Sequence, residues 1–229
     1  MPLAADSASA RTKVRSVGAA SVARDTATPT LWPLSTFRGG ADGAGKPGEI
    51  ETQIAGWIRS YLMQPHPELG RTGAVCPFTP HAAKLDAVLI GTSRRADVEG
   101  IVAVMERAIS AFDVIEVPRE ARRFRAVLVG FPECSGVDGA ALLRAAQNRL
   151  RPHSIYRGKM IGLFEPNSQA AGLINPDFKP LRAPLPLLAI RSLVVEDAPF
   201  VKRNPRLAPL YLLKFGRDGL RRLFGKARP

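Results

Sequence analysis

The residues best suited to chemistry lie in one short stretch, Pro65–Phe78. It brings His66, Arg71 and Cys76 within fourteen residues of the chain. Three prolines fix φ and remove backbone donors, so this stretch is neither a regular helix nor a central strand. A rigid loop that carries a thiol, an imidazole and a cation is typical of a binding or catalytic site held on a scaffold. We therefore expect Pro65–Phe78 to be a functional loop.

Cys76 precedes a proline, which predicts extended backbone and a sulfur that projects from a stiff segment. A thiolate there could ligate heme iron, where it promotes O–O cleavage. It could also be a nucleophile, because a neighbouring cation or imidazole lowers the pKa of a cysteine. Arg71 and His66 are the candidate neighbours. The alternative is a structural cysteine packed against Val75 and Phe78, which composition alone favours, since free cysteines are among the most buried residues.

The histidines give three further candidates. His66 lies between two prolines and could be an axial ligand, a general base or a surface imidazole. His81 is less constrained and ranks below it. His153 ends a predicted helix, where a cation is favourable without any further role. Arg157 and Lys159 follow it, however, and this polar cluster could pair with heme propionates or with an acidic substrate.

Arg191 is a charged residue inside an otherwise apolar predicted strand. Such an arginine needs a partner, which could be Glu196, Asp197 or the carboxylate of a ligand. An ion pair that only stabilises the fold and a ligand contact remain equal alternatives. The long connection over residues 165–186 is typical of a binding loop or lid. Cys134 has no base nearby in the sequence, so we assign it no role.

Hydrophobic periodicity predicts the elements that must position these groups. It indicates helices over residues 49–63, 97–112, 137–150 and 205–215, and strands over residues 85–91, 124–131, 160–164 and 187–194. This order predicts an α+β domain with a mixed or antiparallel sheet and packed helices. No nucleotide-binding glycine fingerprint is present, which disfavours a Rossmann fold.

The two ends of the chain differ in composition from this domain. Residues 1–47 are rich in Ala, Ser, Gly and Pro and predict a disordered leader and linker, in which Trp32, Leu34 and Phe37 form a short arm that packs on the body. The domain itself is expected over residues 48–215. Residues 216–229 read as a basic tail.

Composition excludes several classes of protein. The net charge is +13, but residues 214–229 alone supply +5, and no helix-turn-helix or aromatic RNA-binding motif accompanies the scattered cations. We expect attraction to acidic partners and no specific nucleic-acid binding. No apolar run reaches the roughly eighteen residues of a membrane span. Two cysteines without a secretory signal predict a cytoplasmic protein with reduced thiols.

Three segments carry a resemblance to known families. They are His66-Pro-x-Leu-Gly-Arg-x-Gly-x-Val-Cys-Pro-Phe78, Met160-Ile-Gly-x-Phe164 and Pro186-Leu-Leu-Ala-Ile-Arg191. Together they resemble a bacterial family found in actinobacterial biosynthetic clusters, over roughly residues 50–215. The Cys-Pro-Phe element is similar to one in the heme-dependent N-oxygenases of natural-product pathways, which oxidise guanidine or amine nitrogens. This second resemblance implies that Cys76 ligates iron, with His66 and His153 as its rivals.

The leading hypothesis is therefore a heme-dependent monooxygenase that oxidises a nitrogen-containing small molecule in secondary metabolism, as in antibiotic biosynthesis. Cys76 would hold the iron, with His66 and Arg71 as catalytic neighbours. The remaining residues expected to bind the cofactor are Phe78, His153, Arg157, Lys159 and Arg191. Expected partners are the substrate, an electron-donor protein and a second copy in a homodimer. The alternatives are a cofactor-free binding or accessory protein, and an enzyme that uses Cys76 as a thiol nucleophile.

Overall fold

The structure is a computed structural model that describes residues 29–38, 47–202 and 204–225. Much of the leader predicted for residues 1–47 lies outside these ranges, as does the last part of the predicted basic tail. The described residues form one mixed sheet with helices on both of its faces. The prediction of a single α+β domain with a mixed or antiparallel sheet is confirmed.

In the described part of the chain, five strands form the sheet in the order β1-β2-β3-β5-β4. They are β1 (Trp32–Pro33), β2 (Val88–Thr92), β3 (Ala126–Gly130), β4 (Lys159–Phe164) and β5 (Leu187–Ser192). β2 and β3 run parallel, and the other neighbouring pairs are antiparallel. The four predicted strands are all present, each close to its predicted range, because short apolar runs bounded by polar and glycine-rich segments mark buried strands.

Six α-helices within the described ranges accompany the sheet. They are α1 (Glu49–Trp57), α2 (Thr79–Lys84), α3 (Val98–Asp113), α4 (Gly136–Tyr156), α5 (Ala198–Val201) and α6 (Ala208–Phe224). α3 begins as its sequence predicts, because the side chain of Asp97 accepts a hydrogen bond of 2.7 Å from the backbone of Gly100. α1 does not continue regularly to residue 63; it widens into a π-helical turn over Ile58–Leu62.

The strands direct alternate side chains to the two faces of the sheet. One face lies under α3 and α4 and includes Val127, Val129, Leu188 and Ile190. The other face packs against α1, the π-turn and α2, and includes Val88, Leu128 and Leu187. Each face has its own apolar core, so the sheet separates two environments. The Pro65–Phe78 loop lies on the second face.

The structure confirms the predicted arm that packs on the body, and it changes the bounds of the domain at both ends. Residues 29–38, assigned to the leader, belong to the folded domain: β1 pairs with β2, and Arg59 donates hydrogen bonds to the backbone carbonyls of Leu34 and Phe37. The tail expected from residue 216 is helical as far as Phe224, after a kink at Gly216 with φ of 51°. Its helix persists because Leu223 turns inward and is buried in the domain.

Candidate functional site

Cys76 is held between the π-turn and α2 by two backbone hydrogen bonds. Its N–H donates to the carbonyl of Leu62 at 2.9 Å, and its carbonyl accepts from the N–H of Thr79 at 3.2 Å. The second bond closes a tight turn through the following proline, which is suited to that position because its φ is fixed. The turn places the partly buried thiol against the core on the second face of the sheet. The sequence predicted this constrained position.

The thiol of Cys76 lines a cavity of about 50 Å³ on the second face of the sheet. Most of the wall is aliphatic or aromatic: Ile58, Leu62, Phe78, Ala82, Val88, Phe124, Ala126, Leu128 and Val194. The polar lining consists of Thr79, Ser192 and the arginines at 123, 125 and 191. A volume of this size holds a few water molecules or one small chemical group. The π-turn contributes directly, since Ile58 and Leu62 lie on it.

Arg191 is one of the three arginines that line this cavity, and it forms an ion pair with Asp197. Its Nη1 and Nη2 donate to the two carboxylate oxygens of Asp197 at 2.8 and 2.5 Å, and Nη1 also donates to the carbonyl of Ser192 at 3.0 Å. The side chain of Arg191 is 31% exposed and that of Asp197 only 3%. Burial acts to lower the pKa of Arg191, but the hydrogen bonds and charge of Asp197, with a contribution from Cys76, raise it above its usual value. The guanidinium therefore stays charged beside the thiol.

Asp197 is itself fixed by its surroundings. Its carboxylate accepts a further hydrogen bond of 2.9 Å from the backbone of Val194, at the start of the short helical segment Val195–Asp197. Tyr211 of α6 donates its hydroxyl proton to the carbonyl of Val195 at 2.5 Å and ties that segment to the last helix. The sequence named Asp197 as one of three candidate partners for Arg191, and the structure selects it.

Arg71 has a different position from the one its sequence spacing suggests. Its guanidinium donates to the carbonyls of Thr72 and Val75, both at 3.0 Å. These bonds close the tip of the Pro65–Phe78 loop on itself, next to the backbone bridge between Pro65 and Ala74. Arg71 is exposed and is not among the residues that line the cavity. In this structure it shapes the loop rather than contacting the thiol.

His66 is likewise turned away from the cavity. Its Nδ1 accepts a hydrogen bond of 3.2 Å from the backbone of Glu68, and its ring lies 4.6 Å from that of Phe178. The carbonyl of Glu68 in turn accepts from Asn175 at 2.8 Å. The first half of the Pro65–Phe78 loop is thus docked on the long connection that precedes β5. The imidazole of His66 is part of this contact between the loop and the connection.

The cations predicted after α4 lie elsewhere. Lys159 is buried and pairs with Asp113 at 2.7 Å, and Arg157 pairs with the same carboxylate at 2.6 Å. Met160 is the register partner of Arg191, so Lys159, one residue earlier, points to the opposite face of the sheet. His153 is exposed on α4. The cofactor-binding set predicted from sequence is therefore divided between two faces.

Phe78 is a predicted residue that does line the cavity, and Phe124 faces it with ring centres 6.0 Å apart. Arg123 stacks over Phe124, with 4.8 Å between its guanidinium carbon and the ring centre. His81 also packs on Phe124, at 4.1 Å, but does not line the cavity. Sequence reasoning missed Arg123 and Phe124, because they belong to a short 3₁₀ segment that has no apolar period.

A larger cleft of about 410 Å³ opens at the start of α4. Its lining consists of Ser135, of residues 136, 137, 140, 141 and 144 of this helix, and of residues 165–167 and 186 of the long connection. Arg144 pairs with Glu165, which also lines the cleft, at 3.1 Å. The connection predicted as a binding loop or lid thus contacts this cleft at its beginning and the Pro65–Phe78 loop further on. The predicted catalytic residues His66, Arg71 and Cys76 all lie outside this cleft.

The surroundings of Cys76 do not fit a heme in this arrangement. A porphyrin is far larger than a cavity of about 50 Å³, and the space beside the thiol is filled by side chains such as Ile58, Phe78 and Leu128. The expected propionate partners Arg157 and Lys159 are engaged on the other face of the sheet. We therefore derive no chemistry through heme at this site.

Comparison with known protein families identifies the family of this chain. A family model described as Domain of unknown function (DUF6875) matches residues 51–223, which is more than half of the chain. The chain belongs to this family. The DUF6875 region includes Cys76, Arg191 and Asp197, and the description assigns it no activity. No curated protein and no solved structure matches the chain.

Within residues 29–38, 47–202 and 204–225, no helix is both long and apolar enough to cross a bilayer.

Proposed function

We propose that this chain is an enzyme that uses the thiolate of Cys76 as a nucleophile toward a small-molecule electrophile. One observation carries the proposal: Cys76 and Arg191 line the same cavity. In the first step the sulfur, which gives its proton to solvent, forms a bond to an electrophilic carbon while the leaving group departs with its electron pair. In the second step water attacks the same carbon, and the bond between carbon and sulfur breaks with its electron pair on sulfur, which restores Cys76.

The charge of Arg191 supports this role. A cation beside a cysteine favours the thiolate, which is the nucleophilic form. Asp197 holds the guanidinium in place through two charge-assisted hydrogen bonds. No histidine is among the described residues that line the cavity.

Cys134 provides an internal comparison. It is buried, and burial raises the pKa of its thiol, with further increases from the negative charges of Glu133 and Asp97. A protonated, buried thiol is inert toward alkylating reagents. The same chain therefore contains one thiol beside a cation and one beside two anions.

The test is the rate at which iodoacetamide alkylates each cysteine of the native wild-type protein at pH 7. Trypsin releases Cys76 and Cys134 in separate peptides, residues 72–84 and 126–144, so mass spectrometry follows both at once. We expect Cys76 to react about tenfold faster than N-acetylcysteine, because the free thiol is only a few per cent thiolate at this pH. Cys134 should stay unmodified until the protein unfolds. A Cys76 no faster than N-acetylcysteine would refute the proposal.

The same preparation also tests whether the protein is the heme-dependent oxygenase that the resemblance implies. Protein from cells supplied with 5-aminolaevulinate would show a Soret band, and its loss in Cys76→Ser would assign the thiolate as iron ligand. That result would replace the nucleophile proposal. A colourless protein whose Cys76 is also slow would leave the binding or accessory function.

A further inference from the structure

We propose that the electrophile attacked by Cys76 carries a carboxylate, and that Arg191 binds this carboxylate through its Nε–H and the outer N–H of Nη2. The inference rests on the nucleophile function proposed above and names the class of substrate. It follows from how the guanidinium uses its donors, from the charge of the cavity wall and from the size of the cavity.

A guanidinium has five N–H donors, and three of those in Arg191 are used within the protein. Nη1 donates to Ser192 and Asp197, and Nη2 donates once to Asp197. Within the described part of the chain, no acceptor lies in hydrogen-bond geometry to Nε or to the second N–H of Nη2. Two parallel donors on one edge of the guanidinium therefore remain for a ligand.

These two donors form the side-on fork of the arginine, whose spacing matches the two oxygens of a carboxylate. Asp197 occupies the other, end-on fork and fixes the plane of the guanidinium. A ligand carboxylate would thus meet a donor pair that is already oriented, which reduces the entropy lost on binding. Arg191 is partly exposed, so a ligand can reach it.

The charge of the cavity wall also favours an anion. Arg123, Arg125 and Arg191 line the cavity, and its described lining contains no aspartate or glutamate. Arg125 is engaged elsewhere through hydrogen bonds to the carbonyls of Arg122 and Asp113. Arg123, exposed over Phe124, adds positive potential that would draw an anion toward the thiol.

The volume of about 50 Å³ limits the ligand to a short acid. The electrophilic carbon must reach Cys76 while the carboxylate stays on Arg191, so only a few bonds can separate the two groups. The remaining wall is apolar and offers little to a second polar substituent. A short-chain carboxylic acid with an electrophilic carbon close to its carboxylate has the required chemistry.

Iodoacetate and iodoacetamide test this directly, because they have nearly the same shape and differ in the carboxylate. The alkylation rate of Cys76 is measured with each reagent, and their ratio is divided by the same ratio for N-acetylcysteine. We expect this normalised preference for iodoacetate to be about tenfold in the wild type, the scale of a bidentate charge-assisted contact. Arg191→Lys keeps the charge but removes the fork, so the preference should fall most of the way to one.

The control is Arg144→Lys, an exposed arginine away from the cavity, which should keep the full preference. Rapid alkylation by iodoacetamide without a preference for iodoacetate would overturn the carboxylate inference and leave the nucleophile function standing. Slow alkylation by both reagents would overturn the nucleophile function itself. A full preference in folded Arg191→Lys would assign selectivity to charge alone and refute the fork.

A measurement on the wild type covers the case in which the Arg191 variant does not fold. Propionate and propionamide are compared as protectants of Cys76 against iodoacetamide. We expect propionate to slow alkylation at concentrations where propionamide has no effect. Equal protection by the two compounds would contradict a carboxylate site.

Discussion

The site depends on one pair of residues, Arg191 and Asp197. Sequence spacing alone does not show that these two residues pair, because Arg191 lies in a strand and Asp197 follows it in a short helical turn. The buried carboxylate of Asp197 is stabilised by three hydrogen bonds, two of them from the guanidinium. Removing a partner from such a pair leaves a charge without compensation.

Replacing Asp197 with asparagine tests this pair. The variant removes the negative charge and keeps the shape, so Arg191 loses its ionic partner in a site that is largely out of water. We expect the free energy of unfolding at pH 7 to fall by about 2 kcal/mol, below the usual cost of breaking a fully buried pair because Arg191 is partly exposed. Urea titration measures the loss.

Asp218→Asn is the matched control, since Asp218 and Arg221 form an exposed pair on α6 at 3.8 Å. That substitution should leave stability unchanged, because exposed ion pairs contribute little. Equal effects of the two substitutions would mean that Asp197 does not hold Arg191 in the way described.

The candidate residues show what sequence could reveal at this scale. The proline after Cys76 correctly predicted a constrained thiol, and the apolar neighbours of Arg191 correctly predicted that it needs a partner. The orientations of His66 and Arg71 could not be predicted, because they depend on contacts with Phe178 and with carbonyls of the loop itself. Local spacing carries no information on which way such side chains turn.

At the scale of elements, the Pro65–Phe78 loop and the long connection support each other. Gly70 adopts φ of +75°, and a Cβ at this position would lie 2.8 Å from Cγ2 of Ile174 in the connection. Glycine is suited to this position for two reasons: the left-handed backbone and the close approach of the two segments.

Gly70→Ala should therefore lower the free energy of unfolding by more than the left-handed backbone conformation alone would. Gly136→Ala gives the comparison, because Gly136 has φ of +84° and a Cβ added there would meet nothing within 4 Å. We expect Gly136→Ala to lower the free energy of unfolding by about 1 kcal/mol, the usual penalty of a left-handed alanine. Gly70→Ala should lower it further, because Ile174 must move. Identical losses in urea titrations would argue against the docking of these two segments.

Tyr211 links α6 to the segment that holds Asp197, and its effect should depend on pH. Burial raises the pKa of its phenol above the usual value, and the negative charges of Asp197 and Glu196 raise it further. The folded state therefore holds the phenol proton more tightly than the unfolded chain. This contribution to stability is complete below the unfolded pKa of about 10 and is lost as pH rises through the higher folded pKa.

Tyr211→Phe should lower stability by about 1 kcal/mol at pH 7, because it removes the hydrogen bond to the carbonyl of Val195. The difference from wild type should shrink as the pH rises above about 10, since Tyr211, which the variant lacks, then ionises more readily in the unfolded chain than in the fold. Tyr156→Phe, at an exposed position, should match wild type throughout. A difference that grows with pH would contradict the assignment.

The bounds of elements with a strong hydrophobic periodicity were predicted closely, and those of short elements were not. α3 has a continuous apolar stripe and an aspartate cap, so both of its ends lie within one residue of the prediction. α2 has six residues and includes a proline, and β1 has two residues, so neither contains a measurable period. Their positions depend on tertiary contacts: β1 on pairing with β2, and α2 on the turn after Cys76.

At the scale of the whole molecule, the register of the sheet decides which cations can act together. A shift of one residue moves a side chain to the other face, so the adjacent positions of Met160 and Lys159 in β4 place Lys159 away from Arg191. Cys76 and Arg191 are far apart in sequence and meet only because the π-turn, the loop and β5 pack on the same face. The fold class could be predicted from the sequence. Which cations share a face of the sheet could not, because the pairing of strands depends on long-range contacts.

The most direct test of the account is the effect of Arg191 on the reactivity of Cys76. The alkylation rate of Cys76 by iodoacetamide at pH 7 is compared in wild type, Arg191→Gln and the distant control Arg144→Gln, each shown to be folded. We predict that Arg191→Gln slows Cys76 about tenfold, toward the rate of N-acetylcysteine, because the thiolate loses its neighbouring cation. Arg144→Gln should react like wild type. A Cys76 whose rate is the same in all three proteins would contradict the central claim that Arg191 activates this thiol.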